Sequence, residues 1–199
     1  MGYGNSRYGG SSAITHTGDV TGGEALTIGS DVVEVSMIAD GTDGELITWD
    51  ASGEAVTLGA GTANMVLTSN GAGAAPTFQA LPIELMFFAS DQITSISTGD
   101  NKMILPLPFS MTLSAVRIDV ITAPTGSGIT FDIEEAGSTI FSTLPTIDAT
   151  ETSTSTAATP AVISDSTLTV AGSLKVNFDA VGSTIAGKGV SVTLTGTRA

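Results

Sequence analysis

Gly41-Thr-Asp-Gly-Glu-Leu-Ile-Thr-Trp-Asp-Ala-Ser-Gly-Glu-Ala-Val-Thr-Leu58 and Gly61-Thr-Ala-Asn-Met-Val-Leu-Thr-Ser-Asn-Gly-Ala-Gly-Ala-Ala-Pro-Thr-Phe78 say nearly the same thing twice, at an offset of 20 residues. The alignment sets Gly41 on Gly61, Thr42 on Thr62, Thr48 on Thr68, Gly53 on Gly73, Ala55 on Ala75 and Thr57 on Thr77. Leu46-Ile47 falls on Val66-Leu67, and Asp50 on Asn70. Each copy reads as a short apolar strand, a polar turn rich in Gly and Asp or Asn, and a second short strand. So small a unit buries no face of its own and needs neighbours. A free-standing solenoid requires about three stacked units or more, so the neighbours are expected in other chains. The repeats therefore predict a homo-oligomer, with a trimer in which adjacent chains cover both faces of each strand. Leu46, Ile47, Trp49, Val66, Leu67 and Phe78 are the expected packing residues. Trp49 is the only tryptophan; stacking on a sugar is the alternative to packing, and no cluster of aromatics surrounds it in sequence.

Upstream, Gly23-Glu-Ala-Leu-Thr27 partly echoes Gly44-Glu-Leu-Ile-Thr48, a degenerate earlier copy. Two short strands are expected at Ala25–Ile28 and Val32–Val35, with one helical turn at Ser36–Asp40. Residues 18–80 thus read as a short repetitive, β-rich, intertwined shaft. Residues 1–17 are polar and Gly-rich, a composition that does not fold alone. They read either as an arm that docks into a larger particle, anchored by Tyr3, Arg7 and Tyr8, or as a loose tail.

Beyond Pro82 the segments lengthen. Strands are expected at Ile83–Ala89, Met103–Pro106, Met111–Thr122, Ile129–Glu134, Ser138–Thr143, Thr167–Val170, Ser173–Asp179 and Gly189–Gly196. Several alternate in polarity, as in Ile129, Phe131, Ile133 or Leu174, Val176, Phe178, placing one face in a core. The phase switches from Met111, Leu113 and Ala115 to Val116, Ile118 and Val120, which predicts a β-bulge near Ala115. The fold class is all-β, with a jelly-roll-like β-sandwich head over residues 81–199. Ala123–Gly128 is expected to be a tight hairpin-type connection. The Thr/Ser tract from Asp148 to Pro160 is expected on the surface, as a recognition loop or as a plain connection.

Composition narrows the function classes. The chain has 199 residues, 24 of them Gly, only 13% charged residues and a formal net charge of −14. Its six bases, Arg7, Lys102, Arg117, Lys175, Lys188 and Arg198, are scattered. No basic stripe forms, so nucleic acid is not an expected partner. The acidity reads as solubility of an ordered assembly, with a cationic partner as the alternative. Cysteine is absent, which removes disulfides and thiol chemistry. Pro82–Ala89, the most apolar segment, is short and interrupted by Glu84, so membrane insertion is not expected. The N-terminus lacks the apolar core of a signal peptide, and any extracellular role is expected to follow lysis rather than secretion.

Candidate chemistry is sparse. His16 is the only histidine, which argues against a nucleophilic triad. Asp132, Glu134 and Glu135 are candidate acid/base carboxylates, but on an outward strand face they read as solvated charges. Asp40–Glu45 resembles a calcium loop and fails its spacing at Gly44; a threefold cation site through Asp43 or Asp50 is the weaker idea. Gly71-Ala-Gly73 is not a phosphate loop, since no Lys follows. No enzyme activity, cofactor or metal is expected.

The unit Gly-Thr-x-Gly-x-Leu-Ile-Thr-Trp-Asp-x-x-Gly, followed by Gly-Thr-x-x-x-Val-Leu-Thr-Ser-Asn-Gly-x-Gly-x-x-Pro-Thr-Phe, resembles repeats of bacteriophage fibre and other virion structural proteins. The resemblance covers residues 18–80. More loosely, Thr112–Val120, Ala123–Ser127, Gly137–Ser142 and Asp179–Leu194 look like the β-sandwich domains that terminate phage fibre and head-decoration chains. The resemblance implies a homotrimer at the virion surface. Its partners would be capsid or tail proteins and, for a fibre, a host surface glycan or protein. The head would serve as an adhesin, or alternatively as a capsid decoration or cement module.

Overall fold

The computed structural model describes residues 40–199, together with the backbone of Val20–Thr21 and Thr27–Ile28. Those two pairs form a small antiparallel ladder, β1 (Val20–Thr21) with β2 (Thr27–Ile28), inside the region expected to open the repeats. The expected strand at Val32–Val35, the helical turn before Asp40, His16 and the anchoring residues Tyr3, Arg7 and Tyr8 lie outside the described residues.

The protein is all-β. The doubled stretch folds as two separate antiparallel hairpins, β3 (Leu46–Trp49) with β4 (Ala55–Leu58) and β5 (Met65–Thr68) with β6 (Thr77–Ala80). They share no ladder with each other or with the sandwich that follows.

The remaining strands are β7 (Pro82–Phe88), β8 (Gly99–Pro106), β9 (Met111–Thr122), β10 (Ile129–Glu135), β11 (Ser138–Thr139), β12 (Phe141–Thr143), β13 (Thr146–Ile147), β14 (Val162–Ile163), β15 (Thr167–Leu168), β16 (Ser173–Ala180) and β17 (Lys188–Arg198). One sheet has the order β15-β9-β17-β7. The other has the order β11-β10-β16-β8, with β13 also paired to β10. Successive strands β7, β8, β9 and β10 alternate between the sheets, as do β15, β16 and β17, which is the wrapping of a jelly-roll-like sandwich. Alternation in the sequence supplies its inner faces. Ile118, Val120, Val190, Val192 and Leu194 come from one sheet; Ile129, Phe131, Ile133, Leu174, Val176 and Phe178 come from the other, all in one core cluster. The Phe131 and Phe178 rings meet edge to face at 5.5 Å, the arrangement their quadrupoles favour. Among the described residues, every buried apolar side chain lies between Phe87 and Leu194, so the hairpins contribute none to this core.

The bulge is where the phase switch puts it. Ala115 pairs Thr195 and Leu113 pairs Gly196, leaving Ser114 as the extra residue. Gly196 is required there because the Thr112 carbonyl occupies the place of a Cβ.

Two expectations change. Ala123–Gly128 is not a hairpin turn: β9 and β10 lie in different sheets, and the segment arches between them. Strand periodicity identifies a face and not a partner, so the sequence cannot separate the two cases. Ser138–Thr143 is not one strand. At Ile140, wholly buried, the chain turns a corner: its N–H donates to the Ile133 carbonyl, and its own carbonyl accepts from Ser164 and Asp165 N–H. β11 stays on β10, while β12 leaves to pair β14. The Thr/Ser tract lies on the surface, as expected, and there it covers the edge of β9. Val120 N–H donates to the Thr152 carbonyl at 2.8 Å, Ile118 N–H to Thr154 Oγ1 at 3.0 Å, and Asp119 bridges Ser153. A single 3-10 turn, Thr154–Thr156, holds that cover in shape.

Phe131→Ala should lower the unfolding free energy by about 3–5 kcal/mol, since it empties the centre of the core. Urea denaturation checks this; a loss under about 1 kcal/mol, the ordinary cost of a substitution, would contradict it.

Candidate assembly surfaces

The two repeats share the hydrogen bond that opens each hairpin and use different ones at the tips. Each hairpin is entered through a turn, Glu45 N–H to Thr42 carbonyl and Met65 N–H to Thr62 carbonyl. Gly44 and Asn64, twenty residues apart, take the positive φ each turn needs, +86° and +65°. At the hairpin tips, Asp50 Oδ1 accepts from Ser52 and Glu54 N–H at 2.8 and 2.9 Å. Its counterpart Asn70 donates through Nδ2 to the Ala75 carbonyl and Thr77 Oγ1 at 2.7 and 3.1 Å. Short polar side chains bonding their own backbone are the reason Asp and Asn stand there.

The six expected packing residues sit on these hairpins, on both faces. Leu46 pairs Leu58, Ile47 pairs Thr57, Trp49 pairs Ala55, Leu67 pairs Phe78 and Val66 pairs Gln79. Ile47 and Trp49 share one face of the first hairpin, and Leu46 and Thr48 the other. Val66 and Leu67 likewise point to opposite faces of the second. Leu67 and Phe78 are brought together as cross-strand neighbours, and the Phe78 ring lies over Gly61, where a Cβ would come within 2.7 Å of it. Trp49 is 65% exposed, Ile47 50% and Leu67 49%, whereas Val66 and Phe78 are half-buried. An isolated two-stranded hairpin is at best marginally stable in water, and among the described residues nothing covers these exposed apolar side chains.

The second hairpin joins the sandwich without a linker. Leu81 N–H donates to the Asn64 carbonyl, Arg198 N–H to the Leu81 carbonyl, Asn64 Nδ2 to the Ala199 carbonyl and Ala199 N–H to the Ser110 carbonyl. The last described residue therefore lies at the end of the sandwich that adjoins the hairpins. The opposite end, the tip, carries the connections 89–98, 123–128 and 181–187, tied by Ile96 N–H to Gly187 carbonyl, Thr125 N–H to Ile185 carbonyl and Thr184 N–H to Thr125 carbonyl. Beside the tip lies a cleft of about 180 Å³ whose lining includes Ser90, Asp91, Thr94, Ser97 and Lys102. The Asp91 carboxyl is held below its ordinary value chiefly by the Thr94 N–H, with the Thr94 hydroxyl and Ile93 N–H adding to the effect. It serves as the loop's own cap. Lys102 donates to Ser97 Oγ at 3.2 Å.

The three candidate carboxylates are half-buried structural acceptors, not freely solvated charges. Glu134 Oε1 accepts from Asn177 Nδ2 at 3.0 Å, and Asn177, only 4% exposed, accepts Asn101 N–H at 2.8 Å through Oδ1. Glu135 Oε1 holds Thr169 through N–H and hydroxyl at 2.7 and 2.8 Å. Asp132 accepts the Thr139 hydroxyl. Burial, aided by the charge of Asp179 and opposed by that hydrogen bond, raises the Asp132 carboxyl above its ordinary value. Among the described residues no group of three or more His, Asp or Glu side chains is arranged to hold a metal ion. Among them, no helix is long and apolar enough to cross a membrane.

Sequence reasoning missed Asn177, whose only signal is a polar residue inside Leu174–Phe178. It also missed the exposed apolar outer positions Met86, Phe88 and Ile104. Their signal was present in Leu85-Met-Phe-Phe88 and Met103-Ile-Leu105, runs that do not alternate. No family model matches the chain, and no curated protein matches it either.

The raised carboxyl of Asp132 sets a sign. The folded protein holds that proton more tightly than the unfolded chain. The group's stabilising contribution is therefore complete below its unfolded value and is lost as pH rises through the folded one. At neutral pH its ionised burial opposes folding. Asp132→Asn should raise the thermal midpoint at pH 7 by the equivalent of up to about 0.5 kcal/mol, with the gain vanishing in strong acid. A midpoint that falls at pH 7 would contradict this.

Proposed function

We propose that this chain is a structural protein of a bacteriophage virion, a homotrimeric fibre or spike attached to the particle through its N-terminal arm. The single observation that carries the reading is the pair of hairpins with Leu46, Ile47, Trp49 and Leu67 exposed and no core of their own. Beside them stands a head whose core is complete without them. A stem that is unfinished alone and a head with a core of its own fit an object whose stem is made by several chains. The resemblance of residues 18–80 to phage fibre repeats supplies the class of assembly, and Tyr3, Arg7 and Tyr8 the proposed anchor.

The mechanism is multivalent display on the virion surface. Heads carried on one stem raise the effective concentration for a weak ligand at a host surface, a glycan or a protein. The tip, opposite the stem, is the end that would meet it. The reading includes no catalytic step, no nucleic acid and no membrane insertion. The second reading is a capsid decoration or cement protein, favoured by the shortness of the stem; its main partner would be the capsid lattice. In particles carrying this chain, gold-labelled antibody should mark fixed sites on the virion, and label confined to host debris would refute the proposal.

Trp49→Asp combined with Leu67→Asp should reduce the assembly to single chains of 19.9 kDa while leaving the circular dichroism of the sandwich intact. Sedimentation and spectra of the double variant check this; an undiminished oligomer would show that the hairpins do not hold it together.

A further inference from the structure

The sandwich has two flanks, and they are finished differently. On one, the chain from β11 to β15 closes the gap between the sheets and the 152–154 segment covers β9; Ile129, Ile140, Ile147 and Leu168 there are wholly buried. On the other flank, β7 and β8 each end their sheet with one long side unpaired among the described residues. Their inward side chains Leu85, Met103 and Leu105 pack on the core yet are only half-buried. β7 carries none of the usual protection of an edge. It has one charge, Glu84, and its only proline stands at its first residue. Its outward side chains Met86 and Phe88 are 58% and 49% exposed, and the outward Ile104 of β8 is 51% exposed.

We infer that this open flank is the interface through which the heads of three copies of this chain pack around their common axis; the inference rests on the trimeric reading above. The occupant is a second copy because β7 is the direct continuation of β6. One residue, Leu81, separates them, and it is pinned on both sides by backbone hydrogen bonds to Asn64 and Arg198. Whatever axis gathers the hairpins therefore enters the head along β7. The placement of the apolar residues selects the symmetry. Met86 and Phe88 lie on the outer face of one sheet and Ile104 on the outer face of the other, both next to the same flank. A twofold contact pairs a patch with itself. Two different patches on either side of a wedge suit a closed ring, in which the β7 side of each copy faces the β8 side of the next. The half-buried Leu85, Met103 and Leu105 then line the axis and lose their remaining water.

The absence of cysteine from the chain makes the test direct. Met86→Cys, Ile104→Cys and, on the closed flank, Val162→Cys are prepared singly in the full chain. Each is sedimented and then labelled with a maleimide. Val162 is 49% exposed, comparable to the other two positions in the single chain. The inference expects a trimeric mass for all three, with labelling at positions 86 and 104 about tenfold slower than at 162. Equal labelling at the three positions in a trimer would overturn the head interface and leave the trimeric stem standing. A monomeric mass with the sandwich folded would overturn the trimer and the interface together. Should a cysteine at one of these positions itself weaken assembly, labelling at the other compared with Val162→Cys decides the inference in the same way, slow labelling supporting the head interface and equal labelling overturning it.

Discussion

A β-strand at the edge of a sheet presents a row of amides and carbonyls with no partner, and when its side chains are apolar as well it presents a second debt to water. Much of this protein's shape follows from how each edge is covered. The β9 edge is met by Thr152 and Thr154 from a long tract, and the excursion through β12 and β14 closes the same flank. Asn177 spends its amide on Glu134 and on the backbone of Asn101, where β8 takes a positive φ. Among the described residues the β7 edge has no such cover, and the two hairpins consist almost entirely of edges.

The contrast divides the chain by what completes it. Residues from Phe87 to Leu194 carry a core that meets the needs of a folded domain. The hairpins have regular turns, pinned by Asp50 and Asn70, and so have a defined local shape before they have a stable one. In the proposed assembly, other copies of the chain supply the burial they lack. The structural logic and the fibre-like wording of residues 18–80 lead to the same proposal by separate routes.

Much of the fold was legible in the sequence because a strand's period of two is a direct record of burial. Phe131, Val176 and Val192 announce their faces, and the switch of phase around Ala115 announces the bulge. The turns were legible because Gly44, Gly53 and Gly73 take backbone conformations that side chains resist. What stayed hidden is what depends on partners far along the chain. Nothing in Ala123–Gly128 says whether the next strand returns beside β9 or crosses to the other sheet. Nothing in a run of Thr and Ser says that two of them will close an edge. Asp132, Glu134 and Glu135 read as solvated charges because their acceptor duties to Thr139, Asn177 and Thr169 are set only by the fold.

The account turns on whether a single copy is the finished molecule. The most direct measurement is the native mass of the purified full chain at micromolar concentration. The account predicts a species of roughly three times 19.9 kDa that persists on dilution, as interlocked stems require. A stable, folded species at the mass of one chain, with its hairpins ordered, would contradict it.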